Sequence, residues 1–385
     1  MGRPPLPVTP KRQASITAPA AARDPFAGLR GLLALWVLFG HLILYDRFGD
    51  MYNAGFARAE DLGFLAPLAI LHFIAVDIFF MLSGFVLTRH YYDRFTQAST
   101  GKSIDAFYWA RFKRLWPMHA AMVALIGLYQ IIGIPHPISS GLGDQIFAHW
   151  KWTLFLNLTL LNGWGLIPVA SWNEPAWSLS IIFLLSVLFP NFLLMLKRLP
   201  QRRYLYTAFI LLLILGFAAA RELWPLQSYS DGTGAILRGI LFFTSGMLLS
   251  LADRSGLKLP PVDPRLFCII FFAAILGWSY LAAFPLVCLQ LLYAPLLLAI
   301  DRNAKPILPI AFAQWIGNRS FAVFMTHYPS LLAMDYLAGP TLKEYAAAGT
   351  ISKIACYAAT LAWVLIAAEL AYRLLDRPRQ FRRAG

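Results

Sequence analysis

The chain has 385 residues, of which 59% are hydrophobic and only 14% are charged, and its formal net charge is +14. Roughly a quarter of the residues in soluble domains are charged, so this composition excludes an ordinary soluble protein and predicts a polytopic membrane protein. The basic residues cluster in loops beside apolar segments, as the positive-inside rule predicts, which argues against a nucleic-acid-binding protein.

The two ends of the chain differ in composition from its middle. Residues 1–25 are rich in Pro, Ala and basic residues and lack the apolar run of a cleavable signal peptide. We expect a disordered cytosolic tail over 1–25, one transmembrane domain over 26–376 and a basic cytosolic tail over 377–385.

Ten apolar segments approach the length of about 20 residues that a helix needs to cross the bilayer core. They cover residues 28–45, 65–88, 116–134, 174–196, 204–220, 235–252, 266–282, 284–300, 308–336 and 350–375. The expected fold class is all-α, a polytopic integral membrane helical bundle of about 10 transmembrane helices. The segments on either side of Phe284-Pro285 could instead form one broken hairpin.

An eleventh apolar segment, residues 150–169, contains Lys151, Asn157 and Pro168. If it crossed the membrane, every later basic loop would lie on the side opposite to the earlier ones. If it does not cross, the basic loops all lie on one side and both termini are cytosolic. We therefore expect 150–169 to be an interfacial or re-entrant segment.

Cys268, Cys288 and Cys356 all lie inside apolar segments. Their spacing fits neither a disulfide pattern nor a metal site, so we expect buried free thiols and no bound metal.

Two polar residues lie at different depths in the first predicted span. His41 follows Arg30 by eleven residues, about 16 Å along a helix at 1.5 Å per residue. Eleven residues are close to three full turns, so both side chains project from nearly the same helix face. Arg30 alone would also fit a snorkelling anchor at the cytosolic surface.

The second predicted span has an aspartate at mid-depth. Asp77 precedes Arg89 by twelve residues, about 18 Å from the cytosolic surface. A charge at that depth costs about 2.5–3.5 kcal/mol, so Asp77 should face the interior of the bundle and have a partner. A purely structural ion pair is the alternative to a functional role.

Other polar residues recur in the outer halves of the predicted spans. Arg238 begins the sixth span, Trp177 and Ser178 open the fourth, and His327 lies in the ninth. His72 alone fits a hydrogen-bonded packing residue. The joint pattern predicts that His41, Asp77, Arg238 and His327 point into one buried polar cavity.

Several motifs occur in a fixed order along the chain. They are "LRGLLAL" with Arg30 eleven residues before His41, "VDIFFMLSGFVLT" at 76–88, "RFKRLWP" at 111–117, "PAWSLS" at 175–180, "IGNRSFAVFMTHYP" at 316–329 and "LLDRPRQF" near the end. In these motifs, over roughly residues 25–380, the chain resembles the acyltransferase 3 family of integral membrane acyltransferases. One position departs from the pattern: where the tryptophan–serine motif is often followed by glutamate, this chain has Ile182, and Glu174 upstream is the alternative carboxylate.

The resemblance implies an O-acyltransferase that moves an acyl group, usually acetyl, from cytosolic acyl-CoA to a hydroxyl of an extracytoplasmic acceptor. The acceptors are typically sugars of surface or secreted glycans. The expected location is the bacterial inner (plasma) membrane, and the expected partners are acyl-CoA, an extracytoplasmic carbohydrate and the lipid bilayer. Acetyl and succinyl both remain open as the acyl group.

The chemistry assigns roles to the buried residues. A sugar hydroxyl needs a base, and the imidazole of His41 is the leading candidate. Asp77 or a backbone carbonyl could hold its tautomer, and His327 could orient the acceptor or accept the proton later. An acyl-His41 intermediate is the alternative to direct transfer.

The donor carries phosphates and needs cationic partners. Arg111 and Arg114 lie in the basic loop after the second span and suit phosphate contacts, although positive-inside bias explains them equally well. Arg30 could hold the pantetheine arm or a phosphate. Trp177, Ser178 and Arg238 are the predicted substrate-binding residues, as donors to the oxyanion.

Two other functions fit a chain with about ten spans and charges at mid-membrane. One is a transporter or flippase for a glycan or lipid precursor, although no internal repeat is visible. The other is a non-catalytic membrane receptor or assembly subunit, which would tolerate loss of His41.

Overall fold

A computed structural model describes residues 24–44, 63–97, 101–133, 149–166, 171–198, 232–256, 263–277, 292–303 and 307–376. Within these ranges the predicted all-α class is confirmed, because every regular element is helical. The α-helices are α1 (Ala27–Leu44), α2 (Ala66–Ile70), α3 (Ile74–Gln97), α4 (Gly101–Ile131), α5 (Trp150–Leu158), α6 (Trp177–Leu196), α7 (Gly232–Arg254), α8 (Pro264–Leu276), α9 (Tyr293–Arg302), α10 (Ile310–Ala347) and α11 (Thr350–Ala371).

Four helical stretches are long and apolar enough to cross a membrane, namely Ile74–Thr96, Glu174–Leu196, Gly234–Arg254 and Thr350–Asp376. Shorter apolar helices add to them at Ala27–Ile43 and Pro264–Leu276. The chain is therefore a membrane protein with several spanning helices. The count of ten stays a prediction, because the span at 204–220, the hairpin around 284–285 and both predicted tails lie outside the described residues.

The second predicted span, 65–88, differs in the structure. It is broken at residues 71–73, and α3 continues past the expected end to Gln97. At the break, some backbone carbonyl oxygens have no hydrogen-bond donor within the helix, and they accept hydrogen bonds from side chains instead. Trp36 Nε1 donates to Leu68 O at 2.7 Å, and Arg238 donates to Phe73 O at 2.8 Å. These two hydrogen bonds tie the break to α1 and α7.

The doubtful segment 150–169 begins with the nine-residue helix α5, which at 1.5 Å per residue is only about 13 Å long. This is too short to cross a bilayer, in agreement with an interfacial or re-entrant segment. It is tied to α4, where His119 Nε2 lies 2.7 Å from Asn157 O and Trp116 Nε1 donates to Leu158 O at 2.7 Å.

The long helices alternate in direction as successive crossings require. α1 and α10 run parallel, since Gly317 lies against Ala27 at one end and His41 lies against His327 at the other. α10 and α11 are antiparallel, with Trp363 Nε1 donating to Ser330 O. These directions agree with the predicted order of spans.

Glycines bring α3 and α7 into backbone contact. A Cβ added to Gly246 would lie 1.9 Å from Met81 O, and one added to Gly84 would lie 2.0 Å from Phe243 O. Small residues that let helix backbones approach in this way are typical of membrane helix pairs. This contact fixes α7 against α3 along most of its length.

Apolar side chains form two main clusters in the core. The larger cluster joins α1, α3, α4, α6, α7, α8 and α9, and the smaller one joins α1, α4, α6, α10 and α11. α1, α4 and α6 contribute to both, so the two halves of the bundle meet at these helices. Cys268 and Cys356 are buried free thiols, as expected, and Cys288 lies outside the described residues.

One end of the bundle carries the paired arginines Arg89, Arg114, Arg254 and Arg302, and we call it the basic end. Arg89 contacts Asp253 at 2.9 Å and Asp301 at 3.0 Å, so that α3, α7 and α9 are joined there. The positive-inside rule predicts that this end faces the cytosol.

Candidate active site

A buried ion pair joins α3 to α7 away from the basic end. Nε of Arg238 donates to Oδ1 of Asp77 at 2.5 Å, and the two side chains are only 4% and 2% exposed. The Arg238 guanidinium also lies over the rings of Phe73 and Trp177, 5.5 and 5.6 Å from their centroids. The partner expected for an aspartate at this depth is therefore Arg238, and Trp177 helps to enclose it.

Three histidines from three separate elements meet in one cluster. The ring of His41 on α1 has its centroid 4.8 Å from that of His72, in the turn before α3, and 4.8 Å from that of His327 on α10. His327 is fully buried, whereas His41 and His72 remain partly exposed. The structure thus brings the predicted His41 and His327 together and adds His72.

Each imidazole is oriented by its own helix. Nδ1 lies 2.9, 2.8 and 2.7 Å from a carbonyl oxygen three or four residues earlier in His41, His72 and His327, respectively. A carbonyl oxygen only accepts hydrogen bonds, so this geometry assigns the hydrogen to Nδ1 and leaves the lone pair of each neutral ring on Nε2. In the part of the chain that the structure describes, the buried Nε2 of His327 has no hydrogen-bond partner. The cluster therefore brings three imidazoles together, each with its basic nitrogen at Nε2.

The group that orients His41 at Nδ1 is a backbone carbonyl, that of Val37. Asp77, the other candidate from the sequence, has its Oδ1 bound to Arg238. Asp77 therefore pairs with Arg238 in this structure, and a catalytic role for it stays a prediction.

The residues before α6 pass close to the histidine cluster. Asn173 donates to Met325 O at 3.0 Å, which ties this segment to α10 two residues before His327. Glu174 is near enough to interact electrostatically with His41. Ser178 Oγ donates to Pro175 O at 3.1 Å, so its hydroxyl supports the start of α6.

A cavity of about 470 Å³ lies between α1, α3, α4, α6 and α10. The three predicted donor-binding arginines, Arg30, Arg111 and Arg114, all line it. Arg30 pairs with Asp24 at 2.5 Å, and Arg114 pairs with Asp376. The Arg30 and Asp24 side chains are 27% and 41% exposed, so an incoming anion can compete for Arg30. The partner of Arg114, Asp376, is only 3% exposed.

The other end of this cavity, towards the histidines, is apolar. Gly317 marks the basic end of α10 and Phe324 lies two turns further along it. The ring of Phe324 is 6.2 Å from that of Phe79, edge to face, and 5.9 Å from that of His327. Among the described residues that line the cavity there is no histidine. The cavity therefore ends beside the cluster, about one helical turn from His327.

Two residues to which the sequence analysis gave no role in the site lie at it. The His72 ring packs against Gly40, where an added Cβ would lie 2.1 Å from the Cγ of His72. The glycine next to His41 was therefore the sequence feature that could have indicated a close neighbour. Ile182, the position where glutamate is common in the resembling family, lines the cavity. No carboxylate enters the cavity from that position.

The histidine cluster does not form a metal site by geometry. Within the described ranges, no three side chains among His, Cys, Asp and Glu are arranged to hold a metal ion.

Comparisons with known proteins place the chain in a family. A model described as an acyltransferase domain matches residues 26–369. The peptidoglycan O-acetyltransferase OatA of Listeria monocytogenes is 25% identical over 336 residues, covering 80% of this chain and 51% of the relative. The acyltransferase MdmB of Streptomyces mycarofaciens is 26% identical over 391 residues, covering 94% of this chain and 92% of the relative.

The chain spans about half the length of the OatA relative and nearly all of MdmB. No solved structure matches it. Because the family model covers most of the chain, from the start of α1 almost to the end of α11, the protein belongs to the acyltransferase 3 family of membrane acyltransferases.

Proposed function

We propose that the protein is a membrane O-acyltransferase that moves a short acyl group from cytosolic acyl-CoA to a hydroxyl of an extracytoplasmic glycan or related acceptor. The observation that carries the proposal is the placement of the arginine-lined cavity. Its mouth holds Arg30, Arg111 and Arg114, and its other end lies beside the cluster of His41, His72 and His327.

The cluster has the groups that acyl transfer needs. Nε2 of His41 takes the proton of the acceptor hydroxyl as its oxygen attacks the thioester carbonyl, forming the C–O bond. The tetrahedral intermediate then breaks its C–S bond, and the coenzyme A sulfur leaves with the proton returned by the imidazolium. Alcohol and acyl-CoA thereby become ester and free thiol. The alternative, an acyl-His41 intermediate, gives the same products in two steps: the acyl group first moves to the imidazole with release of the thiol, and then from the imidazole to the alcohol.

The mouth of the cavity suits the phosphates of the donor. Phosphate oxygens form strong charge-assisted hydrogen bonds with guanidinium groups. Asp24, which pairs with Arg30 in the free protein, would be exchanged for phosphate when the donor binds. The pantetheine arm then runs inward along α10 towards Phe324.

The acceptor reaches the cluster from the opposite side. His41 and His72 keep part of their surface exposed although they do not line the donor cavity. A relative whose name states peptidoglycan O-acetylation supports a carbohydrate hydroxyl as the acceptor. This arrangement fits an enzyme of the bacterial inner membrane that modifies the cell envelope.

Inverted membrane vesicles test the proposal, because they present the basic end to the medium. Radiolabelled acetyl-CoA is added outside vesicles that contain the wild-type protein or His41→Ala, and base-labile label in the glycan fraction is counted with the free thiol released. We expect both signals with the wild type alone. Intact acetyl-CoA and no label with either protein would overturn the proposal and would be the result for a transporter.

A further inference from the structure

The chain takes a strained turn shortly before α6. Trp172 has a φ of 60°, in the left-handed region that bulky side chains rarely adopt. Backbone of this kind persists only where the surrounding contacts hold it, and it often occurs at functional sites. The strained residue lies two positions before the 3₁₀ helix Glu174–Ala176, which leads directly into α6. We call residues 171–174 the Trp172 turn.

Two hydrogen bonds join the Trp172 turn to α5. Nε1 of Trp172 donates to Oγ1 of Thr153 at 3.0 Å, and Nδ2 of Asn157 donates to Oγ of Ser171 at 3.0 Å. Thr153, Asn157 and Ser171 are all buried. Buried hydrogen bonds are costly to leave unmade, so these two hold the turn in its strained conformation. The helix that is too short to cross a bilayer thus supports this turn.

A third hydrogen bond joins the Trp172 turn to α10. Asn173 is fully buried, and its Nδ2 donates to the carbonyl oxygen of Met325 at 3.0 Å. His327 follows Met325 by two residues, and its ring centroid lies 4.8 Å from that of His41. The position of the turn is therefore set by the helix that carries His327.

The residues that follow the turn pack beside the helix of His41. Ala176 is fully buried in the same apolar cluster as Leu38 and Leu42 of α1. Leu38 lies one turn before His41, and Leu42 is the next residue after it. Glu174 is two residues before Ala176, is half-buried, and is near enough to interact electrostatically with His41. The turn therefore brings a carboxylate towards His41.

A second acidic residue of this region, Asp77, has its charge balanced by a guanidinium. Its Oδ1 accepts a hydrogen bond from Nε of Arg238 at 2.5 Å. At position 182, where glutamate is common in the family, this chain has Ile182. Glu174 comes from the other side of the tryptophan–serine motif. It is therefore the carboxylate placed to balance a positive charge on His41.

We propose that Glu174 is a positioning residue whose carboxylate stabilises the imidazolium that forms when Nε2 of His41 takes the proton of the acceptor hydroxyl. The inference rests on the proposed function, in which His41 is the base. The proton passes from the hydroxyl to His41 and then to the sulfur of coenzyme A, while Glu174 keeps its charge throughout. A fixed negative charge near a developing positive charge lowers the free energy of the transition state.

The first test uses the isosteric change Glu174→Gln in the vesicle assay. It should lower kcat for thiol release by about ten- to a hundredfold, the size expected for one charge pair at intermediate dielectric constant. The KM for acetyl-CoA should stay unchanged, because Glu174 does not line the donor cavity. Glu174→Asp keeps the charge and should keep most of the wild-type kcat.

Chemical rescue separates an effect of charge from an effect of structure. Glu174→Ala leaves space for a small anion at a half-buried position. Formate, added on both sides of the membrane, should raise the kcat of this variant by about tenfold. Formamide has nearly the same size but no charge and should leave kcat unchanged. Because the Gln and Ala variants test the charge independently, failure of one to fold leaves the other.

Glu344→Gln is the matched control, because Glu344 is an exposed glutamate near the end of α10. It should keep the wild-type kcat. A kcat for Glu174→Gln within about twofold of the wild type would overturn the inference while the proposed function stands, as would rescue by formate no greater than rescue by formamide. A wild type that releases no thiol from acetyl-CoA would overturn both.

Discussion

The two ends of the candidate site carry charge in different ways. At the basic end, Arg30 pairs with Asp24 while the two side chains are 27% and 41% exposed, and an exposed pair of this kind contributes only about 0–1 kcal/mol. Beside the histidines, the Asp77–Arg238 pair is almost fully buried, and removing one partner of such a pair costs about 3–5 kcal/mol. The first kind of pair can exchange partners with a ligand, whereas the second fixes helices in place.

The largest expected effect concerns the histidine cluster. Replacing His41 by Ala should lower the rate of acyl transfer about a thousandfold, since general base catalysis contributes 10²–10⁴-fold. The measurement is kcat for thiol release in the vesicle assay. His90→Ala, at an exposed histidine of α3, should keep the wild-type rate. A His41→Ala enzyme with more than a tenth of that rate would show that the base lies elsewhere.

The next effect contrasts a buried and an exposed aspartate. Asp77→Ala leaves the buried guanidinium of Arg238 without its carboxylate partner, so it should lower the free energy of unfolding by about 3–5 kcal/mol. The measurement is thermal unfolding in detergent. Asp93→Ala removes a pair with Arg254 whose side chains are 56% and 33% exposed, and should cost less than about 1 kcal/mol.

A double variant sharpens this contrast. Asp77→Leu combined with Arg238→Met replaces the buried pair by apolar side chains and should recover most of the lost stability. Equal unfolding temperatures for Asp77→Ala and Asp93→Ala would contradict the distinction between the two ends.

A smaller effect is expected where α3 and α7 touch. Gly246→Ala places a methyl group where backbone lies only 1.9 Å away, so the helices that hold the buried pair must separate at a cost of about 1–3 kcal/mol. Gly28→Ala on α1 is the control, because its nearest neighbour would be the Ala313 Cβ at 3.4 Å, an ordinary contact. Thermal unfolding should separate the two variants, and equal midpoints would argue against a close contact of α3 with α7.

The smallest effect concerns the exchangeable pair. Arg30→Ala should raise the KM for acetyl-CoA about tenfold, equivalent to ~1.4 kcal/mol, with little change in kcat. High salt should shrink the difference from the wild type, because the contact is partly exposed. Arg254→Ala, outside the cavity, serves as the control. An unchanged KM for Arg30→Ala would remove Arg30 from the donor site.

Much of the fold could be predicted from the sequence, because the positions of membrane helices depend on features that can be read along the chain. Apolar length predicts helices, and loop charge predicts their direction, so α1, α6, α7 and α11 lie close to their expected positions. The sequence analysis did not predict the break before α3. The backbone carbonyls near the break accept hydrogen bonds from Trp36 and Arg238, which lie on other helices. No local signal reports such long-range hydrogen bonds.

The candidate site was predictable only in part. Depth arguments predict that His41, Asp77, Arg238 and His327 point into one buried polar cavity. The structure pairs Asp77 with Arg238 and His41 with His327, and none of the four lines the cavity between α1, α3, α4, α6 and α10. Depth alone could not decide whether Asp77 pairs with Arg238 or with His41, and it could not assign His72 to the cluster. The depth of a residue in a span does not tell which neighbouring helix its side chain faces. The cavity that Ile182 lines likewise forms only once α3, α6 and α10 are packed together.

A structure with coenzyme A bound would test most directly whether one passage joins the arginines to the imidazoles. We expect the phosphates on Arg30, Arg111 and Arg114, the rings of Phe79 and Phe324 moved apart, and the sulfur within hydrogen-bond reach of His41 or His327. Coenzyme A bound outside this cavity, or bound inside it with both phenylalanine rings closed against the sulfur, would contradict the proposed path.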